Sequence, residues 1–186
     1  LIAAEYLSNV TGGKGLMLGG FTGVPPTEIV ILGAGTVGEY AARTAISLGA
    51  VVKVFDSSIF RLRRLQNNLG SRVFTSVMQP IGVGKAITTC DVVIGAIRAS
   101  HGRSPCIVME ETVARMKPNS VVIDVSIDQG GCFETSEVTN HKDPVFRKHD
   151  VIHYCVPNIA SRVPRTASYA LTNIFTPILV DIGDMG

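Results

Sequence analysis

The stretch Ile29-Val30-Ile31-Leu32-Gly33-Ala34-Gly35-Thr36-Val37-Gly38 permits few folds. Its apolar residues read as a buried strand, and three glycines follow in a Gly-x-Gly-x-x-Gly spacing that opens a helical pattern. Gly33 allows a tight turn after the strand, Gly35 lets a phosphate approach the backbone, and Gly38 lets the helix close on the strand. A helix starting near Thr36 turns free N–H groups and its positive end toward that approach. Strand, turn and helix together read as the phosphate turn of a dinucleotide-binding fold. Many chains carry the glycines alone, so the surroundings decide.

Twenty-three residues after Gly33, the strand pattern Val51-Val52-Lys53-Val54-Phe55 ends on Asp56. A carboxylate there is placed to bond the adenosine ribose hydroxyls. It would meet a 2′-phosphate with like charge, which selects NAD over NADP as cofactor. Arg61, one turn into the next helical pattern, is a candidate contact to the ribose or, as the lesser alternative, to a 2′-phosphate. Strands are predicted near 28–32, 51–55, 72–75, 91–95, 120–124 and 151–154, and helices near 36–48, 58–69, 80–88 and 108–116. Alternating strands and helices imply parallel pairing through right-handed crossovers. The predicted fold class is α/β, a Rossmann-type doubly wound, mostly parallel sheet with helices on both faces.

At 186 residues the chain makes one domain of ordinary size. Its mean hydropathy of +0.32 is high, yet no apolar run approaches the roughly 18 residues of a membrane span. A sheet buried on both faces accounts for that hydropathy instead. A net charge of +2 with scattered cations excludes nucleic acid as an expected partner. Arg61, Arg63 and Arg64 read as a solvated helix face. Cys90, Cys106, Cys132 and Cys155 form no C-x-x-C pair, which points to free thiols in a reducing, cytoplasmic compartment and not to a metal site. His101, His141, His149 and His153 show no ligand spacing and read as surface or loop residues.

Terminal helices are predicted from Ile2 to Val10 and from Ala167 to Ile182, the second bent or restarted by Pro177. Two arrangements fit them: both cap this domain's own sheet, or both lead into a domain in which this one is inserted.

Three further segments fall where ligands lie in open α/β sheets, outside the carboxyl ends of the strands. Ile97 and Arg98 follow the strand near 91–95 and are placed to cover the cofactor, with Arg98 either a direct contact or a solvent-facing loop charge. Val121-Val122-Ile123-Asp124-Val125-Ser126-Ile127-Asp128-Gln129-Gly130-Gly131 runs from a buried strand into two aspartates and a glycine pair that ends it. Asp128 is there either a general acid or base at the nicotinamide end or a turn-forming residue. Asn158, in Val156-Pro157-Asn158-Ile159, either bonds a ribose or carboxamide or makes a turn.

The glycine motif with Asp56, the segment Ile127-Asp128-Gln129-Gly130-Gly131-Cys132-Phe133-Glu134 and the segment His153 to Asn158 together resemble the cofactor domain of L-alanine dehydrogenase over essentially the whole chain. The resemblance implies a cofactor domain inserted in a discontinuous catalytic domain, with both terminal helices as connections. It implies NAD-dependent oxidation of L-alanine to pyruvate and ammonia by a homo-hexamer, with Asp128 catalytic beside a His of the other domain. It also implies a cofactor lining of Gly33, Gly35, Thr36, Val37, Gly38, Asp56, Arg61, Ile97, Arg98, Val125, Ser126, Ile127, Asp128, Val156, Pro157, Asn158 and Ile159. Three positions depart from the family pattern: Met78 replaces a serine, Glu137 stands where some relatives have Arg, and Arg98 to His101 replaces a more apolar loop. The alternatives are the NAD-binding part of a proton-translocating transhydrogenase, which resembles Ala-Gln-Asn-Gly-Gly at the Asp128 segment, and a nucleotide-sensing module without chemistry.

Overall fold

The computed structural model describes residues 1–99 and 102–185; His101 and the end of the Arg98–His101 loop lie outside them. Seven strands form one sheet: β1 (Glu28–Leu32), β2 (Val51–Asp56), β3 (Phe74–Val77), β4 (Val92–Gly95), β5 (Val121–Asp124), β6 (Val145–Lys148) and β7 (Val151–Tyr154). Their order is β3-β2-β1-β4-β5-β7-β6, and every pairing is parallel except β6 with β7. The helices are α1 (Ile2–Leu7), α2 (Thr36–Ser47), α3 (Ile59–Leu69), α4 (Pro80–Thr89), α5 (Glu110–Val113) and α6 (Pro164–Asp184).

The pleat of β1 explains its unbroken apolar run. Ile29 and Ile31 pack with Ala42 and Ala45 of α2 and Leu62 and Leu65 of α3. Val30 and Leu32 face the other way, onto Val83, Ala86 and Ile87 of α4 and Val113 of α5. Both faces are covered, so neither tolerates a polar side chain. From β1 the chain steps outward to β2 and β3, then α4 returns it to the far side of β1 as β4. That reversal opens a crevice between β1 and β4 at the carboxyl edge, where doubly wound sheets bind ligands.

Several local expectations change. The first helix stops at Leu7 and a 3-10 turn, Asn9–Thr11, replaces its last part; Ser8 caps that turn through Val10 N–H. The helix expected over 108–116 contracts to α5, because Val108 is drawn into a parallel bridge with Phe133. Pro177 lies inside a continuous α6 and does not restart it. Edge strand β6 was not predicted. It carries Arg147 and Lys148, and its hairpin turn uses His149 and Asp150 at φ 53° and 58°, positions where sequence reading expects Gly or Asn. The terminal helices behave differently from each other: α1 buries Ala3, Tyr6 and Leu7, whereas α6 buries none of its residues. No helix among the described residues is long and apolar enough to cross a membrane.

All four cysteines are free; Cys90, Cys132 and Cys155 are buried, while Cys106 is exposed. Burial pushes the Cys90 thiol up to about 12 and Cys155 to about 11.

His153 corrects the surface expectation, since it is 0% exposed. It lies on β7, where its ring stacks on Phe146 with centroids 4.8 Å apart. Val151 O can only accept, so His153 Nδ1–H donates to it at 3.0 Å, and Nε2 accepts from the Thr135 hydroxyl at 2.9 Å. A neutral ring satisfies both bonds, and burial pushes its pKa down to about 4. The folded state therefore binds fewer protons than the unfolded state below the ordinary value of 6.5. This contribution to stability is complete above about pH 6.5 and is lost as pH falls toward about 4, at about 1.4 kcal/mol per pH unit for one proton. Urea unfolding at stepped pH should show this loss and a shallower one in His153→Gln; parallel profiles would refute the assignment.

Candidate functional site

The glycine turn has the geometry its spacing predicts. Gly33 adopts φ +108°, and a Cβ there would collide with the carbonyl of Ala96. A Cβ at Gly38 would overlap the carbonyl oxygen of Gly33, so this residue sets how closely α2 approaches β1. Gly35 differs: a Cβ there would meet nothing within 4 Å. It is also the N-cap of α2, and no side chain caps the helix. The first-turn N–H groups, with Thr36 and Val37, thus face open space beside the turn, an arrangement suited to a pyrophosphate.

Asp56 ends β2 directly beside this turn and is 3% exposed. Its Oδ2 accepts from Ala34 N–H and its Oδ1 from Ser58 N–H, each at 2.7 Å. The carboxylate thereby fixes the glycine turn against the start of α3. Each oxygen keeps a further lone pair for a ribose hydroxyl. Arg61 Nη1 stands 3.8 Å from Oδ2, and Arg64 Nη2 donates to Ala34 O at 3.4 Å. The expected solvated arginine face is exposed, but two of its members bend back over the turn.

These residues line a cleft of about 1020 Å³ at the carboxyl edge, large enough for a dinucleotide. Of the residues named as candidate cofactor contacts, Gly33, Gly35, Thr36, Val37, Asp56, Arg61, Ile97 and Arg98 line it. Ser57, Arg64, Arg103 and Cys106 also line it and were not anticipated. Arg64 was legible as helical spacing from Arg61. Arg103 and Cys106 reach the cleft through a loop with no sequence signal. Met78 lines it too and presents a thioether. Burial and the Glu134 carboxylate push the Cys106 thiol up, so it stays protonated at neutral pH.

The β5 segment forms a second ridge beyond the cleft. The strand stops at Asp124, and a 3-10 turn, Val125–Gln129, follows, with Gly130 closing it at φ +94°. The two aspartates accordingly do different work. Asp124 is 1% exposed. It accepts from Ser126 N–H, Cys132 N–H and the Ser136 hydroxyl at 2.9, 2.9 and 2.6 Å. Asp128 is exposed, and its Oδ1 accepts from Asn158 N–H at 2.8 Å. That bond depends on Asn158 holding the left-handed conformation at φ 49°. Oδ2 takes no hydrogen bond among the described residues. The Ser126 hydroxyl accepts from Ile97 N–H at 2.9 Å, and Gln129 Oε1 accepts from Ala99 N–H at 3.0 Å. These bonds tie the ridge to the cleft wall.

Val125 to Asp128 and Val156 to Ile159 are thus brought together, yet they stand beside the cleft and do not line it. Ile127 and Val156 are buried, so their side chains pack inward. No group of three or more His, Cys, Asp or Glu residues suited to a metal ion occurs among the described residues.

Comparison with known proteins fits this geometry. The family described as "Alanine dehydrogenase/PNT, C-terminal domain" matches residues 1–186. An alanine dehydrogenase of Mycolicibacterium smegmatis is 44% identical over 185 residues, covering 100% of this chain and 50% of that protein. A solved L-alanine dehydrogenase superposes with a TM-score of 0.95 at 40% identity, over 100% of this chain and 51% of that one. A solved transhydrogenase from Sinorhizobium meliloti reaches 0.79 at 26% identity, over 97% of this chain and 53% of that one. The chain spans about half the length of the relatives it matches.

Proposed function

Because this chain belongs to the alanine dehydrogenase/PNT C-terminal domain family, we propose that it is the cofactor domain of an NAD-dependent L-alanine dehydrogenase. The observation that carries the reading is a pair of carboxylates on one sheet edge. Asp56 stands beside the glycine turn after β1, and Asp128 follows β5 with one oxygen unengaged. The uncapped start of α2, the open space at Gly35 and the size of the cleft suit a dinucleotide.

In the intact protein this domain would be inserted in a catalytic domain through α1 and α6, and the assembly would be a homo-hexamer. L-alanine is the substrate and pyruvate the product. The α2 N-terminus would hold the pyrophosphate, Asp56 the adenosine ribose, and Ile97 and Arg98 the nicotinamide half, with the Val125–Asp128 and Val156–Ile159 segments bordering it from beside the cleft. Bound NAD supplies the hydride acceptor. Asp128, oriented by Asn158 N–H at Oδ1, uses Oδ2 to take a proton from the substrate amine or from the water that releases ammonia. Identity to alanine dehydrogenases is well above that to the transhydrogenase, and Asp128 in place of the amide resembled there favours the same reading.

Calorimetry tests the cofactor assignment. NAD should bind the chain, and NADP should bind at least about tenfold more weakly, because the Asp56 carboxylate repels a 2′-phosphate. Equal affinities would remove Asp56 from that role.

A further inference from the structure

The charges around the cleft are unequal from end to end. Guanidinium groups of Arg61, Arg64, Arg98 and Arg103 line it, and Asp56 is the one carboxylate in the lining among the described residues. At the β2 end, Arg61 lies within 3.8 Å of that carboxylate. At the β4 end no carboxylate belongs to the lining among the described residues, and Asp128 stands beyond it on the neighbouring ridge. Arg98 is exposed and makes no ion pair with a described residue. Arg103 is anchored by its bond to Gly130 O at 3.3 Å and contributes a second cation there.

The sheet order determines which half of a dinucleotide meets this imbalance. With the pyrophosphate on the β1 turn and the adenosine toward β2, the other half must cross β4 toward β5. Ala99 N–H bonds Gln129 Oε1, so Arg98 and Asp128 stand on two segments tied together over that path. The oxidised nicotinamide ring is cationic and the reduced ring is neutral. Their phosphates are identical, so a fixed charge near the ring distinguishes the two redox states and little else.

We propose that Arg98 is a redox-state selector: its guanidinium disfavours the oxidised ring and makes this site hold NADH more tightly than NAD+. Asp128 opposes it, being the nearby anion that favours the oxidised ring. The inference rests on the dinucleotide reading above. A single charge change at a partly solvated ring alters affinity by about three- to tenfold.

The test is titration of the chain with NADH, NAD+ and ADP-ribose, which has the phosphates without the ring, at low and high salt. The unsubstituted chain should bind NADH about tenfold more tightly than NAD+ at low salt, with a smaller ratio at high salt. Arg98→Leu should lower the ratio at least about threefold, and Arg98→Glu should lower it further, while ADP-ribose affinity changes less than about twofold. Asp128→Asn should raise the ratio. Arg98 is exposed, so these variants should fold, and unfolding curves check that they do. An unchanged ratio in both Arg98 variants overturns the proposal. Equal weakening of all three ligands also overturns it, because Arg98 would then be a phosphate contact. Failure of ADP-ribose and both nucleotides to bind the unsubstituted chain would instead defeat the dinucleotide reading itself.

Discussion

If the intact protein oxidises alanine as proposed, Asn in place of Asp128 is expected to lower its kcat about 10²- to 10⁴-fold, the usual contribution of a positioned acid or base. The substitution isolates proton transfer unusually well. Asp128 is exposed and packs no core, and among the described residues its carboxylate accepts one hydrogen bond, from Asn158 N–H at 2.8 Å. An Asn Oδ1 can accept that same bond, so the 3-10 turn and the left-handed Asn158 should persist. What disappears is the negative charge proposed to take the proton. NADH affinity measured by fluorescence should stay within about fivefold, as expected for loss of one exposed charge. Unchanged alanine oxidation would remove Asp128 from the mechanism.

The second large effect separates two glycines that the motif treats alike. Gly38→Ala should destabilise the chain by about 3 kcal/mol, the upper end for overpacking, and should abolish NAD binding with it. The added Cβ would overlap the Gly33 carbonyl oxygen, which is backbone and cannot rotate aside. Gly35→Ala should behave in the opposite way. Its φ of −75° suits any residue, and a Cβ would meet nothing within 4 Å. Urea unfolding should therefore show near-native stability for Gly35→Ala, with NAD affinity lost because the methyl projects toward the pyrophosphate position. If both variants unfold alike, the open space at Gly35 is not a ligand approach.

Legibility in the sequence followed the strength of local physics. Strand β1 was predicted at its observed bounds because burial on both faces leaves only apolar residues. Helices α2 and α3 ended where Gly49 and Gly70 take positive φ. The turn after β1 and the carboxylate ending β2 were located because a tight strand-to-helix turn demands glycine and the motif fixes the spacing to the acid. Edge strand β6 was invisible, since half-exposed positions admit Arg147 and Lys148 and its turn lacks glycine. His153 was misjudged for a related reason. Its burial depends on Thr135, from a distant segment, and on Phe146, its partner across the unpredicted β6–β7 hairpin.

By itself, then, the sequence determined the glycine turn, the alternating α/β order and the acid at Asp56, because these rest on backbone sterics and side-chain period within short stretches. Only the tertiary structure decided how Asp124 and Asp128 divide their work. The first is enclosed by donors from Ser126, Cys132 and Ser136, and the second is left at the edge with one oxygen unengaged. The sequence singles out Asp128 as the aspartate beyond the strand, but not what engages either carboxylate. Burial and hydrogen-bond donors from distant segments distinguish them, and the same long-range packing turns Arg103 and Cys106 into the cleft.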